Sequence, residues 1–260
     1  MSLSEKTDEA SLGYQRIGKC ILSLGEYLLI YGGEVSRVED TVYRLGMAYG
    51  FRSVDCLTIM NCIIVSFTCR DGETFTQMRR VLDIKKDMER VRACNELSRE
   101  LCREPMPAEE FEARLSDIEH MKGYLSWQVC LIYMLTSAVM TLFFRGSPGD
   151  AAAAFIAGAV LYFTGRLMTY ARVQNFVTSY IEAFLVGTVI SLLISLGLGD
   201  HYDLISMGNI MLMISGSGLM TSIRDMINND LISGMMGFMA AVIGAAAIAL
   251  GFVSAALLFL

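Results

Sequence analysis

Three stretches of this 260-residue chain place polar, reactive groups where chemistry could follow. The first centres on Glu182, a carboxylate inside the apolar run 176–197, with Ser179 one helical turn before it. An acid in such a run must face protein or water, and by default it marks a substrate or proton-coupling site. The plainer alternative is a side chain that snorkels to the interface. The second stretch is Ser215-Gly216-Ser217, followed by Gly218, within the apolar run 204–223. Alternating serine and glycine weaken a helix and release backbone carbonyls, as in the broken helices that line transport sites. Glycine is nonetheless common in ordinary membrane helices. Arg224 and Asp225 end this run, either as partners for a carboxylate and a proton or as an interfacial anchor with a local ion pair. The third stretch, Ser36-Arg37-Val38-Glu39, holds groups that could serve hydrolysis, yet Ser-x-x-Glu is also the spacing of a helix capping box.

The chain contains no GxSxG, HExxH or P-loop pattern, so nucleotide-driven or hydrolytic chemistry has no motif to stand on. Its seven cysteines form no CxxC pair and there are two histidines, so neither a zinc site nor a disulfide framework is suggested. No cofactor is implied.

The elements that must position these residues divide by composition. Residues 1–126 hold 17 Lys/Arg and 21 Asp/Glu, whereas 127–260 hold 4 and 6. Ten charges cannot solvate a globular surface of that size, so lipid is the expected solvent of the second half. The first residues are polar and acidic, without the apolar core of a secretory signal. Six of the seven cysteines lie in the polar half, which fits a reducing cytosol. A net charge of −6 with no basic block argues against a nucleic-acid partner.

Periodicity predicts a cytosolic α+β domain over 1–126. A helix over 14–31 carries Ile17, Ile21, Leu24 and Leu28 on one face and ends at Gly32-Gly33. A second helix follows with Val35, Val38, Val42 and Leu45 inward, capped by Ser36 and Glu39 and stopped at Gly50. Strands are expected over 53–60 and 62–69, then a turn at Asp71-Gly72 into a third strand over 74–81. Ile84, Met88, Val91, Cys94 and Leu101 mark another helix, and a short one spans 108–120 after Pro105 and Pro107.

The apolar half, 127–260, reads as a bundle of five transmembrane helices at 127–144, 151–168, 176–197, 204–223 and 231–258. With the N-terminal domain inside, the inner connections carry Arg166, Arg172 and Arg224, and the outer ones only Arg145. That asymmetry predicts an N-in, C-out protein of the cytoplasmic membrane. Ser179, Ala183, Gly187, Ser191 and Ser195 recur every four residues and form a smooth ridge against which another helix can pack. Asp230 is placed to cap the last span, after a turn at Asn228-Asn229.

Two stretches resemble the threonine/serine exporter family, in its N-terminal portion. Gly33 to Thr41 is similar to that family's Gly followed by Arg-Val-Glu at the head of an amphipathic helix. Gly218 to Asp225 and Asp230 to Gly234 are similar to its Ile-Arg-Asp, Asp, Ser-Gly signature. The chain departs from the family pattern at Ser215, where Pro often precedes the Gly, and at Ser222, where Asn is usual. The resemblance implies a soluble domain followed by five spans, and transport rather than catalysis. Larger members look like this chain fused to a second five-span module. The stop at Leu260 together with the resemblance therefore implies a two-component exporter, a small-molecule acid as cargo and a second small five-span membrane subunit as partner. Related two-component systems export dicarboxylates such as succinate, and fused ones threonine and serine. A membrane-anchored hydrolase and a non-transporting sensor or assembly subunit remain the alternatives.

Overall fold

The computed structural model describes residues 3–59, 61–81, 85–171 and 173–259, with the backbone alone over 3–12. Met60, Ile84 and Arg172, which entered the sequence reading, lie outside the described residues. The chain divides into two compact units. The first comprises Met1–Lys122 and Thr221–Met236, the second Gly123–Met220 and Gly237–Leu260.

The first unit runs α1 (Leu3–Ile30), α2 (Val35–Ala48), β1 (Ser53–Ile59), β2 (Cys62–Thr68), β3 (Thr74–Arg80), α3 (Met88–Arg103) and α4 (Ala108–Glu119). The α1 helix is longer than its apolar stripe, since the polar residues from Leu3 onward continue the same helix. It ends where expected, because Gly32 takes a φ of +92°, open to a residue without a Cβ. The strands form an antiparallel sheet in the order β1-β2-β3. Register pairs Val54 with Phe67 and Phe67 with Phe75, so one face is apolar. Leu24 and Leu28 of α1, Val38, Val42 and Leu45 of α2, and Phe111 of α4 belong to the same core as Ile63, Val65 and Phe67. The other face is polar, with Ser66 bonded to Thr76 at 2.7 Å and Thr68 to Thr74 at 3.1 Å.

The expected capping box on α2 does not form. Glu34 occupies the N-cap position without a side-chain capping bond, which leaves Ser36 inside the first turn. Glu39 points elsewhere: its Oε1 accepts the N–H of Thr58 at 2.7 Å and satisfies the free edge of β1. A capping box needs the serine one position before the helix, and here the helix starts at Val35, two residues too early. A side-chain cap forms instead on α3 of the same unit, where the Asp87 side chain accepts the Arg90 N–H at 3.1 Å.

The remaining helices are α5 (Ser126–Phe143), α6 (Pro148–Tyr170), α7 (Asn175–Ser195), α8 (Tyr202–Met213), α9 (Gly216–Ile227) and α10 (Leu231–Leu257). Four of these, α5, α6, α7 and α10, are long and apolar enough to cross a membrane. The α8 and α9 helices pass that test only together, as a pair bent by 54° at the break. Each has 12 residues, and a helix of that length rises about 18 Å against the ~30 Å of a hydrocarbon core. The protein is thus a mostly helical, multi-pass membrane protein with four spans, or five if the bent pair crosses as one.

Small residues set the packing of the second unit. Ala153, Ala154 and Ala157 of α6 and Ala183 of α7 are fully buried. A Cβ on Gly187 would lie 2.7 Å from that of Ala255, and one on Gly251 2.6 Å from that of Ala183. The predicted ridge on α7 is therefore real at Ala183 and Gly187, where α10 packs. It ends before Ser195, which is exposed and turns its hydroxyl to the Leu192 carbonyl at 2.7 Å.

Candidate functional site

Glu182 stands seven residues into α7, about 10 Å along the helix. It lines a cavity of about 410 Å³ together with Tyr133, Tyr162, Gly165, Arg166 and Thr169. Gly165 lets the carboxylate approach α6, since a Cβ there would sit 3.0 Å from Glu182 Oε1. Leu212 and Met213, the end of α8, complete the lining. The cavity thus lies beside the helix break, two residues from Ser215.

The cation in this cavity is Arg166, which the sequence placed only among the charges of an inner connection. Its guanidinium donates to Ser126 Oγ at 2.7 Å and to Tyr162 Oη at 3.1 Å. Two neutral oxygens fix its position and leave its charge without a carboxylate partner among the described residues. Nothing in local spacing could have found this shared cavity, because Arg166 and Glu182 sit on different helices. Tyr133 and Tyr162 meet edge to face at 5.7 Å and form an aromatic wall.

At the break, Ser215, Gly216 and Ser217 are exposed in the isolated chain, and Ser215 Oγ accepts the Gly218 N–H at 3.3 Å. That bond caps α9, as serine does at a helix start. The end of α8 and the start of α9 leave helix termini with partial charges of opposite sign at one point. Ser179 is half-buried and does not line the Glu182 cavity.

Arg224 and Asp225 are not with Glu182. They belong to the first unit, where the Arg224 guanidinium is ion-paired with Glu34. The two motif stretches thereby meet, one at the head of α2 and the other at the α9–α10 connection. Ser36, Glu39 and Asp40 line a cleft of about 710 Å³ that also touches Asn228 and Asp230. Arg37 points to a different cleft. Burial pushes the Glu39 carboxyl above the usual carboxylate range, the Thr58 N–H draws it back, and the Asp230 charge adds to the rise. Asp225 is buried, and its Oδ1 has no hydrogen-bond partner among the described residues. Asn229 adopts a φ of +70° and Asp230 directly precedes α10, as the turn predicted. Gly234 permits a tight return, since a Cβ there would come 2.7 Å from the Ser222 carbonyl.

One structural carboxylate escaped the sequence reading. Asp150 is fully buried at the start of α6 and accepts from the backbone N–H groups of Ser147, Asp200 and His201 at 2.8, 2.7 and 3.1 Å. His201 Nδ1 adds a contact at 3.0 Å. Ser147-Pro148-Gly149-Asp150 has capping-box spacing with proline at the first helical position, and that was the available signal. Its role is to pin the 199–201 loop.

Residues 19–259 match the family described as "Putative threonine/serine exporter". Among curated proteins, the chain is 26% identical over 210 residues to the "Probable succinate transporter subunit YjjP" of Klebsiella aerogenes, covering 80% of this chain and 81% of that protein. It is 24% identical over 220 residues to the protein of the same description in Escherichia coli K12, covering 84% and 85%. No solved structure matches. The match extends through both motif stretches, the candidate spans and the broken helix, and the chain belongs to the threonine/serine exporter family.

Proposed function

We propose that the chain is one subunit of an exporter for small carboxylic or amino acids, driven by an ion gradient and binding its cargo in the cavity of Glu182 and Arg166. The observation that carries this reading is the placement of one acid and one carboxylate-free arginine around a single cavity beside a helix break. Arg166 is suited to a substrate carboxylate, which a guanidinium can hold through two parallel hydrogen bonds. The N-terminus of α9 favours the same negative group. Glu182 then carries the coupling proton, or holds the ammonium of an amino acid. The name of the two relatives supports a dicarboxylate such as succinate as cargo and a second membrane subunit as partner. The family description supports threonine and serine.

The N-terminal domain is assigned to the cytosol on the arginine asymmetry of the connections. In a background freed of native cysteines, an external thiol reagent is then expected to reach a cysteine at His201 and to miss one at Asn228.

The function is tested by efflux of labelled succinate, threonine and serine from vesicles holding the chain with and without a five-span partner. Glu182→Gln is expected to insert normally and to lose pH-dependent export, while Glu182→Asp keeps part of it. Arg166→Gln is expected to weaken cargo binding by about tenfold or more, the loss of a charge-assisted pair. Unaltered export by Glu182→Gln at every pH would remove Glu182 from the mechanism and turn the search to Asp225.

A further inference from the structure

The strongest unassigned feature is a cleft of about 660 Å³ in the first unit, between α2 and α3. Five arginines line it: Arg37 and Arg44 from α2, and Arg92, Arg99 and Arg103 from α3. Two of them are neutralised. Arg44 pairs with Asp40 at 2.9 Å, and Arg92 pairs with Glu89 at 2.6 Å and Glu96 at 2.5 Å. The guanidiniums of Arg37, Arg99 and Arg103 have no ion pair or hydrogen bond among the described residues.

Three uncompensated guanidiniums around one concavity are unexpected on a chain of net charge −6. Elsewhere in the same unit some exposed arginines find carboxylates, as Arg16 does with Glu112 at 2.8 Å and Arg114 with Glu100 at 2.7 Å. Arg52, Arg70 and Arg80 have no ion pair among the described residues, but they are scattered singly rather than gathered around a cleft. Like charges held around a cleft repel, and an anion that enters removes that repulsion while gaining forked hydrogen bonds. Two helices contribute, so the site is built by tertiary packing rather than by a run of basic sequence. Arg37 and Arg44 lie seven residues apart, as do Arg92 and Arg99, a spacing that returns a side chain to the same face of a helix.

We propose that this α2–α3 cleft binds a small soluble polyanion, a ligand carrying two or more phosphate or carboxylate groups, through Arg37, Arg99 and Arg103. The site is separate from the Glu182 cavity and does not depend on the transport reading. Its natural role would be to let the concentration of such an anion act on the protein.

Cys102 lines the same cleft with an exposed side chain, which gives a readout independent of transport. Alkylation of Cys102 by N-ethylmaleimide is followed by mass spectrometry on the full chain in neutral detergent at low salt. ADP and tripolyphosphate form one arm, citrate and succinate the other. Saturable protection by either arm is expected, and the arm that protects at the lower concentration names phosphate or carboxylate as the recognised group. Arg99→Gln combined with Arg103→Gln is expected to weaken protection by about tenfold or more. These side chains are exposed and unpaired, so the variant should fold as the parent does. Arg114→Gln, outside the cleft, should leave protection unchanged. Three results would overturn the proposal: no protection by either arm at millimolar ligand, protection undiminished in the double variant, or protection by phosphatidylglycerol micelles with none from the soluble ligands.

Discussion

The two units differ in the balance of what they bury, although Ile190 and Ile205 of the second are also at 0% exposure. In the first, the fully buried side chains are large: Phe67, Phe111, Leu24, Leu28 and Leu45 are at 0% exposure. In the second, alanines such as Ala153, Ala157 and Ala183 reach 0%, while Phe163 is 62% and Leu250 55% exposed. A core formed against water gains by hiding the largest apolar groups, because the hydrophobic effect scales with the area removed. A helix in lipid gains nothing from moving leucine out of hydrocarbon. It gains instead from close backbone approach, which small residues allow. The difference also bears on function. In the second unit Glu182 and the exposed Arg166 line one cavity.

The largest test of this contrast removes one aromatic ring from each unit. Phe67 is packed at 4.9 Å from the ring of Phe51 and 5.4 Å from that of Phe75. Phe67→Ala is expected to cost ~3–5 kcal/mol, and Phe163→Ala less than ~0.5 kcal/mol, read as shifts in protease sensitivity of the full chain across a urea series. Equal costs would mean that the second unit is held by the same force as the first.

A smaller effect is expected from adding bulk where the second unit packs closest. Gly187→Leu must displace Ala255 and Tyr202, each 2.7 Å from the new Cβ, and should cost ~1–3 kcal/mol. Gly244→Leu meets nothing within 4 Å and should leave the solubilised protein intact. Size-exclusion profiles after detergent extraction compare the two. A Gly187→Leu protein as monodisperse and as thermostable as the parent would deny the close approach its importance.

The smallest effect concerns pH in the first unit. Glu39 has a folded pKa above its unfolded value, so folding takes up a proton there, and its contribution to stability falls as pH rises through that window. The window opens near the ordinary Glu value of ~4.3 and extends upward. Glu39→Gln keeps an oxygen for the Thr58 N–H and removes the charge. The variant should therefore lose part of the decline in melting temperature between about pH 4 and pH 7. An unchanged slope would assign that decline to other groups.

The sequence by itself determined which solvent each half meets, because charge density and apolar run length are sums over residues and need no knowledge of neighbours. It also determined the local punctuation. Gly32 ends α1, Asp71-Gly72 turns β2 into β3, and the serine–glycine run breaks α8 from α9, since each depends on backbone freedom at a few adjacent residues. Only the tertiary structure decided the partners. Glu39 serves the β1 edge rather than its own helix, Arg224 turns to Glu34, and Arg166 joins Glu182. The arginine cleft was equally hidden: the chain has no basic block, and the charges converge only when α2 packs on α3. Periodicity states which face of a helix is buried, but not which distant face it will meet, and ionic chemistry is fixed by that meeting.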